Sequence, residues 1–438
     1  MIFEQLIYTD LGCASYLVGC QKVGEAVVVD PALDTTALER ALDHHKARLV
    51  GVIETHTHAD HISGHGALAL ELGVPVYVSA LAGAAHDHIG LADGDSINVG
   101  NIELRTMHTP GHRPEHIALE VIDHTRSDEP WLLLTGDSLF VGDVARPDLA
   151  VDGEEGAAVL YRTMQERVLQ LPDGIEVFPG HVAGSLCGKG MSAKPSTTLG
   201  FERRFNEMLQ PMGEEAFVAV ANAGLAPKPP NLGRIVDCNR GDFVARPPLP
   251  QRLAALPADA PVLDVRATAD VVRGTVAGAL HVPINQTGFG TRAGFLLDPD
   301  VPAVLIADDD AQAERAARGL HAIGHFHQAG WLSPADLALD QLLPPLSLEE
   351  FLAERDDLQI VDVRNDDELP APLPGAVQIP LHDLGTASLD ALDPARRTAV
   401  LCQSSQRSGI GAAILARRGF SDVRPVIGGG MGSPQLAS

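Results

Sequence analysis

Positive charge is what this 438-residue sequence has least of: 32 lysines and arginines stand against 58 aspartates and glutamates, a formal net charge of −26. A nucleic acid or an anionic membrane surface would repel such a chain, and no basic patch offsets the deficit. Long apolar runs are missing too, since none approaches the roughly 18 residues a membrane-spanning helix needs. The opening Met1-Ile2-Phe3-Glu4-Gln5-Leu6-Ile7 has neither the cationic start nor the apolar stretch of a secretory signal, so a cytoplasmic protein is the expectation. Cysteine is sparse as well. Cys13, Cys20, Cys187, Cys238 and Cys402 form an odd, scattered set that suits free thiols in a reducing compartment and excludes a disulfide framework. Cys13 and Cys20 flank a hairpin and read as packing residues. With 45% hydrophobic residues the chain can pack cores, and its length predicts about three domains.

Histidine is concentrated where it can act. Thr55-His56-Thr57-His58-Ala59-Asp60-His61 packs three imidazoles and a carboxylate into one short stretch, a metal-ligand set. The apolar run Leu49-Val50-Gly51-Val52-Ile53 before it predicts a buried strand, with the cluster on the loop at its carboxyl end, where open α/β sheets place their chemistry. His112 in Thr109-Pro110-Gly111-His112, Asp137 in Gly136-Asp137-Ser138 and His181 in Pro179-Gly180-His181 follow. Leu132-Leu133-Leu134 leads into Asp137 and Ile175-Glu176-Val177-Phe178 into His181, so four loops are expected to converge on one sheet edge. A lone HxH is often a surface accident; the full set in this order is not. The residues alone leave the metal open, because Asp60, His61 and His181 could complete a dinuclear zinc site with His56, His58, His112 and Asp137. His65, His108 and His116 flank these segments. Cys187 lies six residues after His181 on a loop with Gly184, Gly188 and Gly190, and Arg146 and Lys189 are candidate binders of an anionic thiol carrier.

Beyond a proline-rich linker, Ala226-Pro227-Lys228-Pro229-Pro230, the sequence repeats itself. Pro261-Val262-Leu263-Asp264-Val265-Arg266 returns as Gln359-Ile360-Val361-Asp362-Val363-Arg364, and Gly278-Ala279-Leu280-His281-Val282-Pro283 as Gly375-Ala376-Val377-Gln378-Ile379-Pro380. The helix before Gly324 returns as the one before Gly419. All three offsets fall between 95 and 98 residues, which marks an internal duplication of an α/β unit. In the second copy the apolar Ala399-Val400-Leu401 leads into Cys402-Gln403-Ser404-Ser405-Gln406-Arg407 and then a helix opening at Ser408. A thiolate cradled by loop amides and a helix N-terminus, with Arg407 closing the loop, is stabilised as an anion. The first copy has Ala307 opposite Cys402 and Gln312 opposite Arg407, so it reads as catalytically silent, and Asp308, Asp309 and Asp310 read as a solvated acidic loop.

These motifs carry two resemblances. The histidine motif, the Thr-Pro-Gly-His segment and the Gly-Asp-Ser segment resemble the metallo-β-lactamase superfamily, over roughly residues 1 to 240. Gly136-Asp137-Ser138-Leu139-Phe140, Gly142-Asp143-Val144-Ala145-Arg146-Pro147-Asp148 and Gly180-His181 followed by Ala183-Gly184-Ser185-Leu186-Cys187-Gly188 are similar to its persulfide dioxygenase branch. That resemblance implies an αββα sandwich and one Fe(II) per chain held by His56, His112 and Asp137, with His58, Asp60, His61 and His181 orienting ligands and substrate. It also implies a small-molecule persulfide and O2 as reactants, sulfite as product, and a place near the iron for Cys187.

The Asp-Val-Arg strands and the Cys402 loop resemble the rhodanese sulfurtransferases. This implies two rhodanese-like α/β domains after the sandwich, sulfur carried on Cys402 with Arg407, and substrate contacts from Gln403, Ser404, Ser405 and Gln406. Ser405 departs from the glycine that is commoner there. The expected boundaries are 1–240, 250–343 and 344–438. Sulfite or thiosulfate would link the two activities, and a homo-oligomer is left open. The main rival is a dinuclear zinc thioester hydrolase of the glyoxalase II kind; a non-enzymatic sulfur-trafficking scaffold is the other.

Overall fold

The computed structural model describes residues 1–182, 188, 190–286, 288–365, 368 and 373–433. The chain divides into two compact units, Met1–Arg246 with Ala322–Gly324, and Pro247–His321 with His325–Ser438.

The first unit holds two six-stranded sheets. One runs in chain order through β1 (Ile2–Tyr8), β2 (Cys13–Cys20), β3 (Glu25–Val29), β4 (Arg48–Ile53), β5 (Val76–Ser79) and β6 (Ile89–Leu91). The other contains β7 (Ser96–Val99), β8 (Ile102–His108), β9 (Ile117–Asp123), β10 (Leu132–Gly136), β11 (Glu176–Pro179) and β12 (Thr197–Thr198). Side chains alternate across a strand, so each strand serves two cores. Tyr16, Val18, Val27 and Val29 point inward and meet Ile102, Leu104, Leu119, Val121, Leu132 and Leu134 of the other sheet. Leu17, Ala26 and Val28 point outward onto Leu38, Ala41 and Leu68 of helices Thr36–His45 and His65–Leu72. Leu133, Ala118 and Val177 face Ala157, Leu160 and Met164 of helix Gly153–Glu166. Helices therefore cover both outer faces, and the αββα sandwich follows from the two-residue period of the strands. The strand β1, which no sequence motif marked, pairs antiparallel with β2 along its whole length.

The second unit contains two smaller sheets. Their parallel cores are β13 (Val262–Asp264), β14 (Leu280–His281), β15 (Ala303–Ile306) and β16 (Gln328–Leu332), then β17 (Leu346–Ser347), β18 (Gln359–Asp362), β19 (Ala376–Gln378), β20 (Thr398–Leu401) and β21 (Val423–Ile427). Their orders, β14-β13-β15-β16 and β17-β21-β20-β18-β19, place the duplicated Asp-Val-Arg strand beside the strand that feeds each 95-residue-related loop. Among the described residues no helix is long and apolar enough to cross a membrane.

Candidate metal centre and sulfur-transfer site

The strand β4 pairs parallel with β3 and β5, and β10 pairs parallel with β11, so the histidine cluster, Asp137 and His181 all follow carboxyl ends of strands. His56, His112 and Asp137 are buried, and one ligand atom from each lies within 4.8 Å of the others. Two glycines make this approach possible. A Cβ on Gly180 would sit 2.6 Å from Asp137 Oδ1, and one on Gly136, whose φ is +49°, would sit 2.7 Å from both His116 Nε2 and Thr55 Oγ1.

Each donor is fixed by a partner on its far side. Thr55 Oγ1 donates to Asp30 Oδ2 at 2.8 Å, so its lone pair receives the His56 Nδ1–H at 2.9 Å. That tautomer leaves His56 Nε2 as a lone pair, buried and without a hydrogen-bond partner. His112 Nδ1–H donates to the Arg146 carbonyl at 2.9 Å, which turns Nε2 to within 3.6 Å of Asp137 Oδ2. Asp137 Oδ1 accepts from His181 Nδ1 at 2.7 Å, while Oδ2 is buried and unpartnered. Burial and the neighbouring histidines push His56 well below the ordinary imidazole range, and burial lowers His112. Burial would raise the Asp137 carboxyl, but His181 beside it brings it down to about 2. Two neutral imidazoles and an ionised carboxylate with orphaned atoms are the form in which a metal is bound. The donor set fits a metal ion.

A second group, His58, Asp60 and His61, also has ligand atoms within 4.8 Å of one another. Its electrostatics differ. His58 Nε2 lies 3.0 Å from Glu54 Oε2 and 3.3 Å from Asp30 Oδ1. Burial opposes its charge, but the two carboxylates outweigh burial and raise its pKa well above the ordinary value. His181 spends both ring nitrogens on carboxylates, Nδ1 on Asp137 and Nε2 on Asp60 at 2.8 Å. His61 Nδ1 lies 3.1 Å from Asp60 Oδ1, and its Nε2 is buried without a partner.

Several contributors carried no sequence signal. Asp30, at φ 50°, accepts the Thr55 N–H at 2.7 Å. Glu54 accepts from Ser63 Oγ at 2.6 Å. His116, which merely flanked the motif, is fully buried and accepts the Asp137 N–H at 2.9 Å. Asn239 donates to the His58 and His61 carbonyls at 3.0 and 2.8 Å and so pins the histidine loop. Its position just after the proline-rich linker gave no hint of this. Arg146 differs from its expected role as a carrier-binding cation: the side chain is buried and doubly bonded to Asp148 at 2.7 and 2.9 Å, and its backbone carbonyl serves the site. His65 is buried 3.3 Å from Glu54, and His108 bonds the Pro114 carbonyl. Cys13 is buried, its residue bridges His181 through the backbone, and burial pushes its thiol up. Cys187 and Lys189 lie outside the described residues.

In the second unit β20 delivers Cys402 to the start of its loop, where its sulfur is buried and accepts the Arg407 backbone N–H at 3.4 Å. Helix Ser408–Arg417 follows at once, and Ser408 Oγ anchors it to the Val426 carbonyl at 2.8 Å. The turn segment after β21 closes over the loop, with Met431 and Gly432 N–H groups donating to the Cys402 and Gln403 carbonyls, each at 3.0 Å. Ser405 occupies the left-handed region at φ 66°, the position where glycine is commoner, and its hydroxyl exchanges hydrogen bonds with the Gly429 backbone. Ser404 and Gln406 are exposed, whereas Gln403 is half-buried and accepts from Arg364 at 3.4 Å. The Arg407 guanidinium points to Glu368, which takes it bidentately at 2.6 Å on both oxygens.

A sandwich with two histidines and an aspartate converging at its sheet edges is a metal domain of the metallo-β-lactamase class, and the Cys402 loop is that of a rhodanese-like domain. Comparison with known proteins agrees: residues 8–181 match the metallo-beta-lactamase superfamily and residues 347–432 the rhodanese-like domain. The mitochondrial persulfide dioxygenase ETHE1 of Bos taurus is 33% identical over 238 residues, 53% of this chain and 85% of the relative. The Homo sapiens protein of the same name is 32% identical over 242 residues, 54% and 87% of the two chains. A metallo-beta-lactamase structure from Staphylococcus aureus subsp. aureus COL is 31% identical with a TM-score of 0.69, and the match covers 76% of this chain and 98% of that one. The chain belongs to the persulfide dioxygenase family of the metallo-β-lactamase superfamily and carries a C-terminal rhodanese-like domain.

Proposed function

We propose that the protein oxidises low-molecular-weight persulfides with O2 at one Fe(II) held by His56, His112 and Asp137, and that Cys402 carries sulfane sulfur. The balanced overall reaction is R-S-S(−) + O2 + H2O → R-SH + SO3(2−) + H(+). Residues 1–240 are assigned to the oxidation, 250–343 to a silent repeat and 344–438 to sulfur transfer. The observation that carries the single-metal reading is the contrast between the two donor groups. His56, His112 and Asp137 bring ligand atoms within 4.8 Å of one another, whereas His58 Nε2 lies beside the Asp30 and Glu54 carboxylates, which favour its protonated form, and both His181 nitrogens meet carboxylates.

When bound, Fe(II) supplies the redox chemistry that lets dioxygen react with a closed-shell sulfur anion, and two imidazoles with one carboxylate leave positions for both reactants. The protein's own groups keep that set in order. Asp30 acting through Thr55 holds the His56 tautomer, the Arg146 carbonyl holds that of His112, and His181 turns Asp137. His61 keeps Nδ1 on Asp60, so its Nε2 can take a proton from the water that is consumed and pass it to the leaving thiolate. A small cavity lined by Glu54, His56, His58 and His86 borders the cluster.

The closeness of His58, Asp60 and His61 favours the second reading, a dinuclear zinc thioester hydrolase. Anaerobic purification, metal quantification and O2 uptake with several persulfides separate the two. We expect about one iron per chain, and Asp137→Ala should lose both iron and O2 uptake because two imidazoles alone do not hold the metal. Two equivalents of zinc with thioesterase activity would overturn the proposal.

A further inference from the structure

Arg407, the cation expected to hold an anion at Cys402, is already neutralised by Glu368. A second arginine sits in the other repeat, on a helix that meets the Cys402 repeat. The helix Ser408–Arg417 packs on β14 of the cysteine-less repeat, so closely that a Cβ on Gly409 would meet Thr268 Cγ2 at 2.5 Å. Helix Phe289–Leu296 of that repeat also reaches across: the Phe295 ring lies 5.6 Å between centroids from His382 of the Cys402 repeat, the two planes tilted by 44°. Arg292 lies three residues before Phe295, on the same helix face. It is half-buried, its guanidinium donates to the neutral Gln286 Oε1 at 3.0 Å, and among the described residues no carboxylate stands within ion-pair distance of it. Burial and Arg407 lower its pKa, and the Cys402 sulfur acts in the opposite direction.

We propose that Arg292 of the cysteine-less repeat forms the anion subsite of Cys402, holding the oxygens of a small sulfur oxyanion such as thiosulfate or sulfite. The inference rests on the reading of Cys402 as a sulfur carrier. A half-buried guanidinium that meets no carboxylate among the described residues keeps its charge for a ligand, and its planar fork matches an oxyanion's paired oxygens. In the step so assisted, Cys402-S(−) attacks the sulfane sulfur of thiosulfate, the S–S bond of the donor breaks, and sulfite leaves with the electron pair. The balance is Cys402-S(−) + S-SO3(2−) → Cys402-S-S(−) + SO3(2−). The repeat that lost its nucleophile thus keeps a part in binding.

The test uses the full chain with Arg292→Gln and Arg292→Lys, and Arg292→Met in place of the glutamine variant if that fails to fold. Thiosulfate KM in sulfur transfer to cyanide should rise about tenfold or more without the charge, with kcat less affected and lysine restoring part of the loss. Independently of activity, the ratio of Cys402 alkylation by anionic iodoacetate to that by neutral iodoacetamide, read on the Cys402 peptide by mass spectrometry, should fall severalfold. A KM and an alkylation ratio both equal to wild type in folded Arg292→Gln or Arg292→Met would overturn the subsite. A wild type that transfers no sulfur would overturn the Cys402 reading instead, and the alkylation ratio would still decide for or against Arg292.

Discussion

In both repeats of the second unit a strand ends in an aspartate that pairs with a buried arginine two residues later, Asp264 with Arg266 at 2.6 Å and Asp362 with Arg364 at 2.8 Å. The loops that follow the neighbouring strands have diverged. In one, Cys402 receives an amide hydrogen bond and a helix start; in the other, Ala307 is buried, Asp309 Oδ1 caps the next helix through the Gln312 N–H at 2.8 Å, and Gln312 Oε1 accepts the Asp308 N–H at 2.8 Å. The acidic loop bonds to itself. The two repeats agree where side chains are buried in the sheet and differ where the loop carries a sulfur in one and alanine in the other. Selection on packing and selection on reaction act on different atoms.

The widest gap between the repeats should come from Cys402→Ser. Replacing a polarisable thiolate by a poorly acidic hydroxyl should reduce sulfur transfer by at least about a thousandfold, while O2 uptake with a supplied persulfide persists. Chromatography should then show sulfite where the wild type releases thiosulfate, and identical product ratios would mean that the rhodanese-like site does not act on the oxidation product. Next come Asp264→Asn and Asp362→Asn, each of which strands a buried guanidinium. Both should cost about 3 to 5 kcal/mol in urea unfolding, and clearly unequal losses would break the shared-scaffold half of the comparison.

Acid should separate the repeats more gently. Burial lowers His321 to about 4 although its ring donates to Gln328 Oε1 at 2.8 Å, and burial lowers His281 as well. The Cys402 repeat has Gln378 and Ala416 at the matching positions. A folded-state pKa below the unfolded value means that the unfolded chain binds more protons, so stability is full above about pH 6.5 and falls towards pH 4. His321→Gln should flatten that slope by on the order of 2 kcal/mol across the window, measured by urea midpoints at each pH. The smallest effect is expected from Asp309→Ala, which removes a helix cap worth about 1 kcal/mol and should leave sulfur-transfer turnover unchanged. A large loss of turnover there would mean that the acidic loop takes part in chemistry.

How much of this was legible in the sequence depended on whether a residue's type names its job. His56, His58, His61, His112, Asp137, His181 and Cys402 declare themselves by ligand or nucleophile chemistry, and the period-two strands and the 95-residue repeat fix the architecture. Asp30, Glu54, His116 and Asn239 stayed hidden because their work is done through burial and contacts far along the chain. For Arg146 the sequence pointed to the guanidinium, which pairs with Asp148, and not to the backbone carbonyl that accepts from His112. Glu368 and Arg292 could be found only in three dimensions, since the first neutralises the expected clamp and the second arrives from another repeat.

The hydrogen bond from Asn239 to the His58 carbonyl spans 181 residues, and the Val182 N–H closes back on the Gly12 carbonyl. A ribosome adding about 5 to 20 residues per second therefore releases the histidine loop some tens of seconds before the residue that pins it. Until then the first imidazoles lack the contact that holds their loop, so the site takes its geometry late in synthesis.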